Sequence, residues 1–238
     1  MKSLKKFLFR PETTKIIKFI LDDCLPPVIR DNKFFYTAVV RTFNPVLDMD
    51  FKVKAPHMTA AELKDAYEKV VPFRDSHMTQ KDLDFVINNL TGETVLELGC
   101  GHGDVAIACA KTGRKITATD LAQGNLSLVH ERAKKEGLTL TTNLVNVESI
   151  PYNDKSFDTV ICLHTLEHVF DLYKCINELK RVASKRLIVV VPQERYFRYS
   201  ANYHVNFFGG PEQLLLAMKI KNSTCISMGG NLAFVGNL

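Results

Sequence analysis

The residues best placed to do chemistry lie in Val95-Leu96-Glu97-Leu98-Gly99-Cys100-Gly101-His102-Gly103, where a short apolar run meets a glycine at every second position. Glycines at this spacing permit a tight turn and a close approach of bare backbone to a ligand. They also aim the free N–H groups of a following helix at it. A carboxylate follows at Asp120, at the end of the next apolar run. There it can accept from both hydroxyls of a nucleoside ribose, or merely cap the helix expected from Leu121. These features suit NAD and S-adenosylmethionine equally.

A second candidate group is His164-Thr165-Leu166-Glu167-His168, which matches the H-x-x-E-H spacing of a zinc peptidase. That chemistry needs both imidazoles on one face of an established helix, together with a third ligand. Here His164 ends the apolar run FDTVICL, so no metal is expected. His168 and His204 are the candidate catalytic residues, as bases for a protonated nucleophile. The bland alternative for His168 is a hydrogen bond to a backbone carbonyl, and for the His204 segment a place in the core. His164, Tyr196 and Tyr203 are further candidates for an acceptor pocket. Arg74, Asp75 and Thr79 precede the helix leading into the first strand, and surface charge is the preferred reading over contact with a ligand carboxylate.

The elements that must position these residues follow from periodicity. Short apolar runs at Thr94–Leu98, Lys115–Thr119, Leu140–Val145, Phe157–Leu163 and Arg186–Val191 alternate with helix-spaced sets at Val105–Ala110, Leu126/Val129/Ala133 and Phe170/Cys175/Ile176/Leu179. Alternation of this kind predicts a parallel sheet covered on both faces. Ser223–Ser227 and Leu232–Val235 flank Gly229-Gly230 and predict an antiparallel hairpin. Residues 1–90 read as a helical N-terminal cap or lid and 91–238 as the ligand-binding domain. Thr59/Glu62 and Thr79/Asp82 look like capping boxes, and FYTAVV with its flanks resists assignment.

Glu97, Gly99, Gly101 and Gly103, followed in order by Asn146-Val147-Glu148, the run IPYNDKSFD and LEHV, resemble the class I S-adenosylmethionine-dependent methyltransferases. The likeness is greatest to the branch with ubiquinone and menaquinone C-methyltransferases. It implies an α/β, Rossmann-like seven-stranded sheet of order 3-2-1-4-5-7-6, with strand 7 antiparallel and a helical N-terminal extension. It also implies S-adenosyl-L-methionine as cofactor, with Glu97, Gly99, Cys100, Gly101, Gly103, Asp120, Leu121, Asn146, Val147, Glu148 and Leu163 around it. By that resemblance Glu97 serves the methionine end, Asp120 the ribose, and Asn146–Glu148 the adenine. Asn146 stands where the family usually has Asp, and its amide oxygen can still accept.

Composition narrows the partners. The 238 residues are 46% hydrophobic, enough for one substantial core. No apolar run is long enough to span a membrane, and the start is too short for a secretory leader. The net charge of +5 resides in residues 1–41, where Lys15 and Lys18 punctuate an amphipathic pattern suited to peripheral membrane contact. Six cysteines without C-x-x-C spacing fit a reduced cytoplasmic setting. A small-molecule acceptor is expected, and no nucleic acid. The stretches LPPVIRDNKFF and DFKVKAPHMT resemble uncharacterised bacterial methyltransferases found near surface-polysaccharide enzymes. A glycan or phosphorylated metabolite is therefore the first expectation and a prenylated quinone the second. An NAD-dependent oxidoreductase and a non-catalytic S-adenosylmethionine-binding protein are the alternatives.

Overall fold

The computed structural model describes residues 20, 24–35, 37–38, 48, 50–59, 61–62, 65–66, 78–196 and 203–238. Arg74, Asp75, residues 1–19 of the amphipathic start and half of the FYTAVV segment lie outside them. The chain divides into two compact units, one of residues 1–63 with 195–203 and the other of 64–194 with 204–238.

In the first unit, helical turns form at Pro27–Arg30 and Phe51–Lys54. Phe51 stacks on Tyr203 with ring centroids 4.0 Å apart, and the Asp48 amide donates to the Tyr203 hydroxyl at 3.2 Å. Tyr203 is thus a buried packing residue of this unit, and Tyr196 belongs to the same unit. At Thr59 the expected box is present, because Glu62 accepts from the Thr59 amide at 2.7 Å.

The second unit is a seven-stranded sheet of order β3-β2-β1-β4-β5-β7-β6, with β7 antiparallel to both neighbours, as the family resemblance implies. Its strands are β1 (Thr94–Leu98), β2 (Lys115–Asp120), β3 (Thr141–Leu144), β4 (Phe157–Leu163), β5 (Ala183–Pro192), β6 (Asn222–Met228) and β7 (Asn231–Asn237). Helices α1 (Gln80–Asn89), α2 (Asp104–Ala110) and α3 (Gln123–Lys135) cover one face, where Val86, Val105 and Val129 pack with Val95, Ile161 and Ile188. Helices α4 (Leu172–Val182) and α5 (Pro211–Met218) cover the other, over Leu96, Leu98, Val160 and Val189. Alternate residues of one strand serve opposite faces, which explains the continuous apolar runs.

Three details differ from the sequence pattern. α1 falls within the cap predicted over residues 1–90, yet Val86 and Leu90 pack in the sheet unit. Phe170 counts toward a predicted helix face, but α4 starts only at Leu172, capped by Asp171, and Phe170 is 40% exposed. β5 runs three residues earlier than the apolar pattern because Ala183–Lys185 continue the strand beyond its buried centre. Thr79 and Asp82 close the capping box that opens α1, so Thr79 holds a helix end. The β6–β7 turn is Gly229-Gly230, both at positive φ, as a tight hairpin requires.

Candidate functional site

In an open α/β sheet, ligands bind beyond the carboxyl ends of the strands where strand order reverses, here between β1 and β4. β1 pairs with both β2 and β4, so the segments that leave Leu98, Asp120 and Leu163 converge there. Gly99, Gly101 and Gly103 all take left-handed φ, of 73°, 49° and 81°. A β-carbon on Gly99 would meet Thr165 Oγ1 at 2.2 Å and one on Gly103 would meet Val129 at 2.5 Å, whereas one on Gly101 would meet nothing within 4 Å. Two glycines therefore serve packing and the third faces open space.

Asp120 holds this loop. Its Oδ2 accepts from the Gly101 amide at 2.9 Å and its Oδ1 from the Ala122 amide at 2.9 Å. It is not the cap of α3, whose N-cap is Ala122. Each carboxylate oxygen accepts two hydrogen bonds, so both keep capacity for a hydroxyl pair. Leu121, beside it, exposes 52% of its surface.

Glu97 is buried and leaves Oε2 with no hydrogen-bond partner among the described residues. Burial, reinforced by the charges of Asp120 and Asp104, pushes its carboxyl up to about 8. A cationic, hydrogen-bond-donating ligand would relieve both conditions. Cys100 is buried, and its amide donates to the Thr119 carbonyl at 2.8 Å. Burial raises its thiol far above the usual range, so it is inert packing.

Asn146 Oδ1 accepts from the Glu148 amide at 2.9 Å, and Glu148 Oε1 accepts from the Phe170 amide at 2.9 Å. These bonds fix the turn around buried Val147 and tie it to the segment before α4. Leu163 is buried at the end of β4.

The turn after β4 carries the other chemistry. His164 sits at φ 50°, and a single 3-10 turn, Leu166–His168, follows it. The helix a zinc peptidase needs is therefore absent from the H-x-x-E-H segment. Instead, the Val205 and Asn206 amides donate to the Glu167 carbonyl at 2.8 and 3.1 Å, and the Asn206 side chain donates to the Leu166 and Val169 carbonyls. These bonds bring His204 beside His168, ring centroids 4.8 Å apart, while Glu194 Oε1 bonds His204 Nδ1. Glu167 is buried like Glu97. Burial would raise its carboxyl too, but the His164 hydrogen bond and the charges of His168, His164 and His204 prevail and hold it at about 2.

The sequence reading missed Glu194 and Arg132, and met Thr165 and Glu167 only as part of the H-x-x-E-H match. Arg132 of α3 bonds the His102 carbonyl and pairs with Asp104 at 2.8 Å, clamping the glycine loop from behind. Its signal was only a cation in a helix's last turn.

The methyltransferase domain family matches residues 96–191. This region is a class I methyltransferase domain. S-adenosyl-L-methionine is the cofactor of such domains, and the loop opening at Gly101, the two acceptors of Asp120 and the unpaired Glu97 Oε2 fit it. The domain is similar to a ubiquinone biosynthesis O-methyltransferase of Actinobacillus pleuropneumoniae, 32% identical over 114 residues, 46% of this chain and 47% of that protein. One from Methylocella silvestris is 33% identical over 95 residues, 39% of this chain and 37% of that one. The chain thus spans about half or less of the length of these relatives. A SAM-dependent methyltransferase structure from Aquifex aeolicus shares the fold at 17% identity and TM-score 0.57, covering 76% of this chain and 98% of that one. Among the described residues no helix is long and apolar enough to cross a membrane.

Proposed function

We propose that the protein transfers a methyl group from S-adenosyl-L-methionine to a hydroxyl oxygen of a small, quinol-type acceptor. The observation that carries this reading is the Asp120 carboxylate bonded to Gly101 over open space, one strand from an imidazole–carboxylate cluster. Asp120 would hold the ribose and Glu97 the methionine amine. Leu121, Asn146, Val147 and Glu148 would surround the adenine, with Leu163 closing the floor at β4. Relatives named for ubiquinone biosynthesis favour a quinone-type acceptor over the glycan or phosphorylated metabolite expected from the N-terminal stretches. The methyltransferase family match disfavours the NAD alternative. The six free cysteines support a cytoplasmic setting.

The cofactor's sulfonium supplies an activated methyl group, so the chain must mainly position the acceptor and manage its proton. The acceptor oxygen forms the new O–C bond as the C–S bond breaks, its electron pair staying on sulfur. The hydroxyl proton leaves toward His168 and His204, the only catalytic residues assigned.

Calorimetry with S-adenosylhomocysteine and with NADH tests the cofactor half; tight NADH binding with no response to the first compound would overturn it. Incubation of a prenylated catechol with a deuteromethyl-labelled donor tests the acceptor, with an added CD3 ether expected by mass spectrometry. Donor hydrolysis without methylated product from that catechol or from a metabolite extract would leave a cofactor-binding protein instead.

A further inference from the structure

One atom in the acceptor-side cluster is not accounted for by packing. Glu167 is 2% exposed, yet its Oε2 has no hydrogen-bond partner among the described residues. A buried carboxylate oxygen left so is costly, and natural sites of this kind are completed by a donor or a cation. Glu167, His168 and His204 each offer a ligand atom, and these three atoms lie within 4.8 Å of one another. We propose that Glu167, His168 and His204 bind a divalent cation of the zinc class.

The site is built rather than accidental. His204 comes from a segment well beyond the turn in sequence, held on it by the Val205 and Asn206 amides at the Glu167 carbonyl and by the Asn206 side chain. Its Nδ1 faces the buried carboxylate of Glu194, so its ligating atom is Nε2. A carboxylate behind a metal-bound imidazole fixes the ring and raises its basicity. Two imidazoles with one carboxylate suit Zn²⁺ or its neighbours rather than Mg²⁺ or Ca²⁺, which prefer oxygen cages. Binding would contract the triangle to edges of about 3.3 Å, from metal–ligand distances near 2.0–2.1 Å. The set differs from H-x-x-E-H, which would use His164 with His168; here His164 Nδ1 faces Glu167 Oε1 at 3.5 Å and His204 replaces it.

Three protein ligands leave a coordination position for an oxygen, and a hydroxyl bound there would lose its proton to solvent near neutral pH, in place of transfer to His168 or His204, whose ring nitrogens then hold the cation. That consequence rests on the methyl-transfer reading; cation binding itself does not.

The test is titration of metal-free full-length protein with Co²⁺, followed by visible absorption, and with Zn²⁺ and Mg²⁺ by calorimetry. S-adenosylhomocysteine affinity is measured in parallel. One equivalent of Co²⁺ with a d–d spectrum is expected, displaced by Zn²⁺ and not by equimolar Mg²⁺. His168→Ala and His204→Ala should weaken Zn²⁺ at least 100-fold. Glu194→Gln should weaken it about 10- to 100-fold, as outer-shell partners do. His168→Asn and His204→Gln keep polar contacts and serve if the alanine variants unfold. Absence of stoichiometric binding, or equal binding in a variant carrying both His168→Ala and His204→Ala, overturns the site. Chelator-insensitive methyl transfer would overturn the cation's part in proton removal alone, leaving a Glu194–His204 base. Loss of S-adenosylhomocysteine binding with Co²⁺ retained would instead sink the methyltransferase reading and spare the site.

Discussion

The Asp120 carboxylate accepts the Gly101 amide at 2.9 Å across the β1–β2 gap, so the group that closes one strand sets the backbone of the loop leaving its neighbour. Asp120→Ala should therefore act twice. Cofactor affinity should fall by roughly 1–3 kcal/mol as ligand hydroxyls lose their acceptor. The ligand-free protein should also melt earlier, because two amides lose theirs. Calorimetry with S-adenosylhomocysteine and a thermal melt check the two parts. Unchanged affinity with a lower melting temperature would make Asp120 a scaffold residue alone.

The glycines of the loop should separate by phenotype. Gly99→Ala drives a methyl into Thr165 at 2.2 Å in a left-handed conformation, so it should lower stability first. Gly101→Ala meets no atom and keeps only the left-handed penalty, roughly 1–2 kcal/mol. Its larger effect should be on cofactor affinity, and Gly101→Val should abolish binding. Urea melts against calorimetric titrations distinguish them, and normal binding by a folded Gly101→Val variant would move the site elsewhere.

Glu97 should make the ligand-free protein sensitive to pH. Its carboxyl lies at about 8 in the fold against 4.5 ordinarily, so between those values the folded state retains a proton that the unfolded chain has lost. Stability should then fall as pH rises from about 4.5 through 8, the reverse of a salt-bridged carboxylate. Glu97→Gln should flatten that slope. A cationic cofactor beside Oε2 should expel the proton, so titrations at pH 7 in buffers of different ionisation enthalpy should report net proton release. A flat stability profile in the unmutated protein would refute the assignment.

Arg181 should prove structural. From α4 it donates to Glu178, to the Tyr152 and Ile150 carbonyls at 2.7 and 2.8 Å, and to Asp154, pinning the start of the IPYNDKSFD run. Arg181→Ala should destabilise the fold by about 1–3 kcal/mol, since several partly buried acceptors lose a charged donor together. S-adenosylhomocysteine affinity of the folded variant should change little, as denaturant melts and calorimetry would show.

Much of the sheet is written locally. Thr94–Leu98 and Phe157–Leu163 are strands because each is a short, mainly apolar run, with β-branched residues in both, long enough for a buried strand and too short for a helix. Gly99, Gly101 and Gly103 announce a left-handed loop because other residues pay a steric cost there. The family resemblance, carried by ordered motifs, supplied the strand order.

What the tertiary structure alone decided is which distant groups meet. Asp120 remained balanced between ribose and helix cap until the fold gave the cap to Ala122 and brought the Gly101 amide to its carboxylate. Glu97 near the end of β1 and Glu167 in the turn after β4 are both buried acidic residues, yet one is surrounded by carboxylates and the other by imidazoles, and their protons respond oppositely. His204 lies far from His168 in sequence, and its approach depends on backbone bonds from Val205 and Asn206. Periodicity reports which face a residue occupies. Charge, desolvation and ligand geometry depend on neighbours in space, so those properties arise only once the chain has folded.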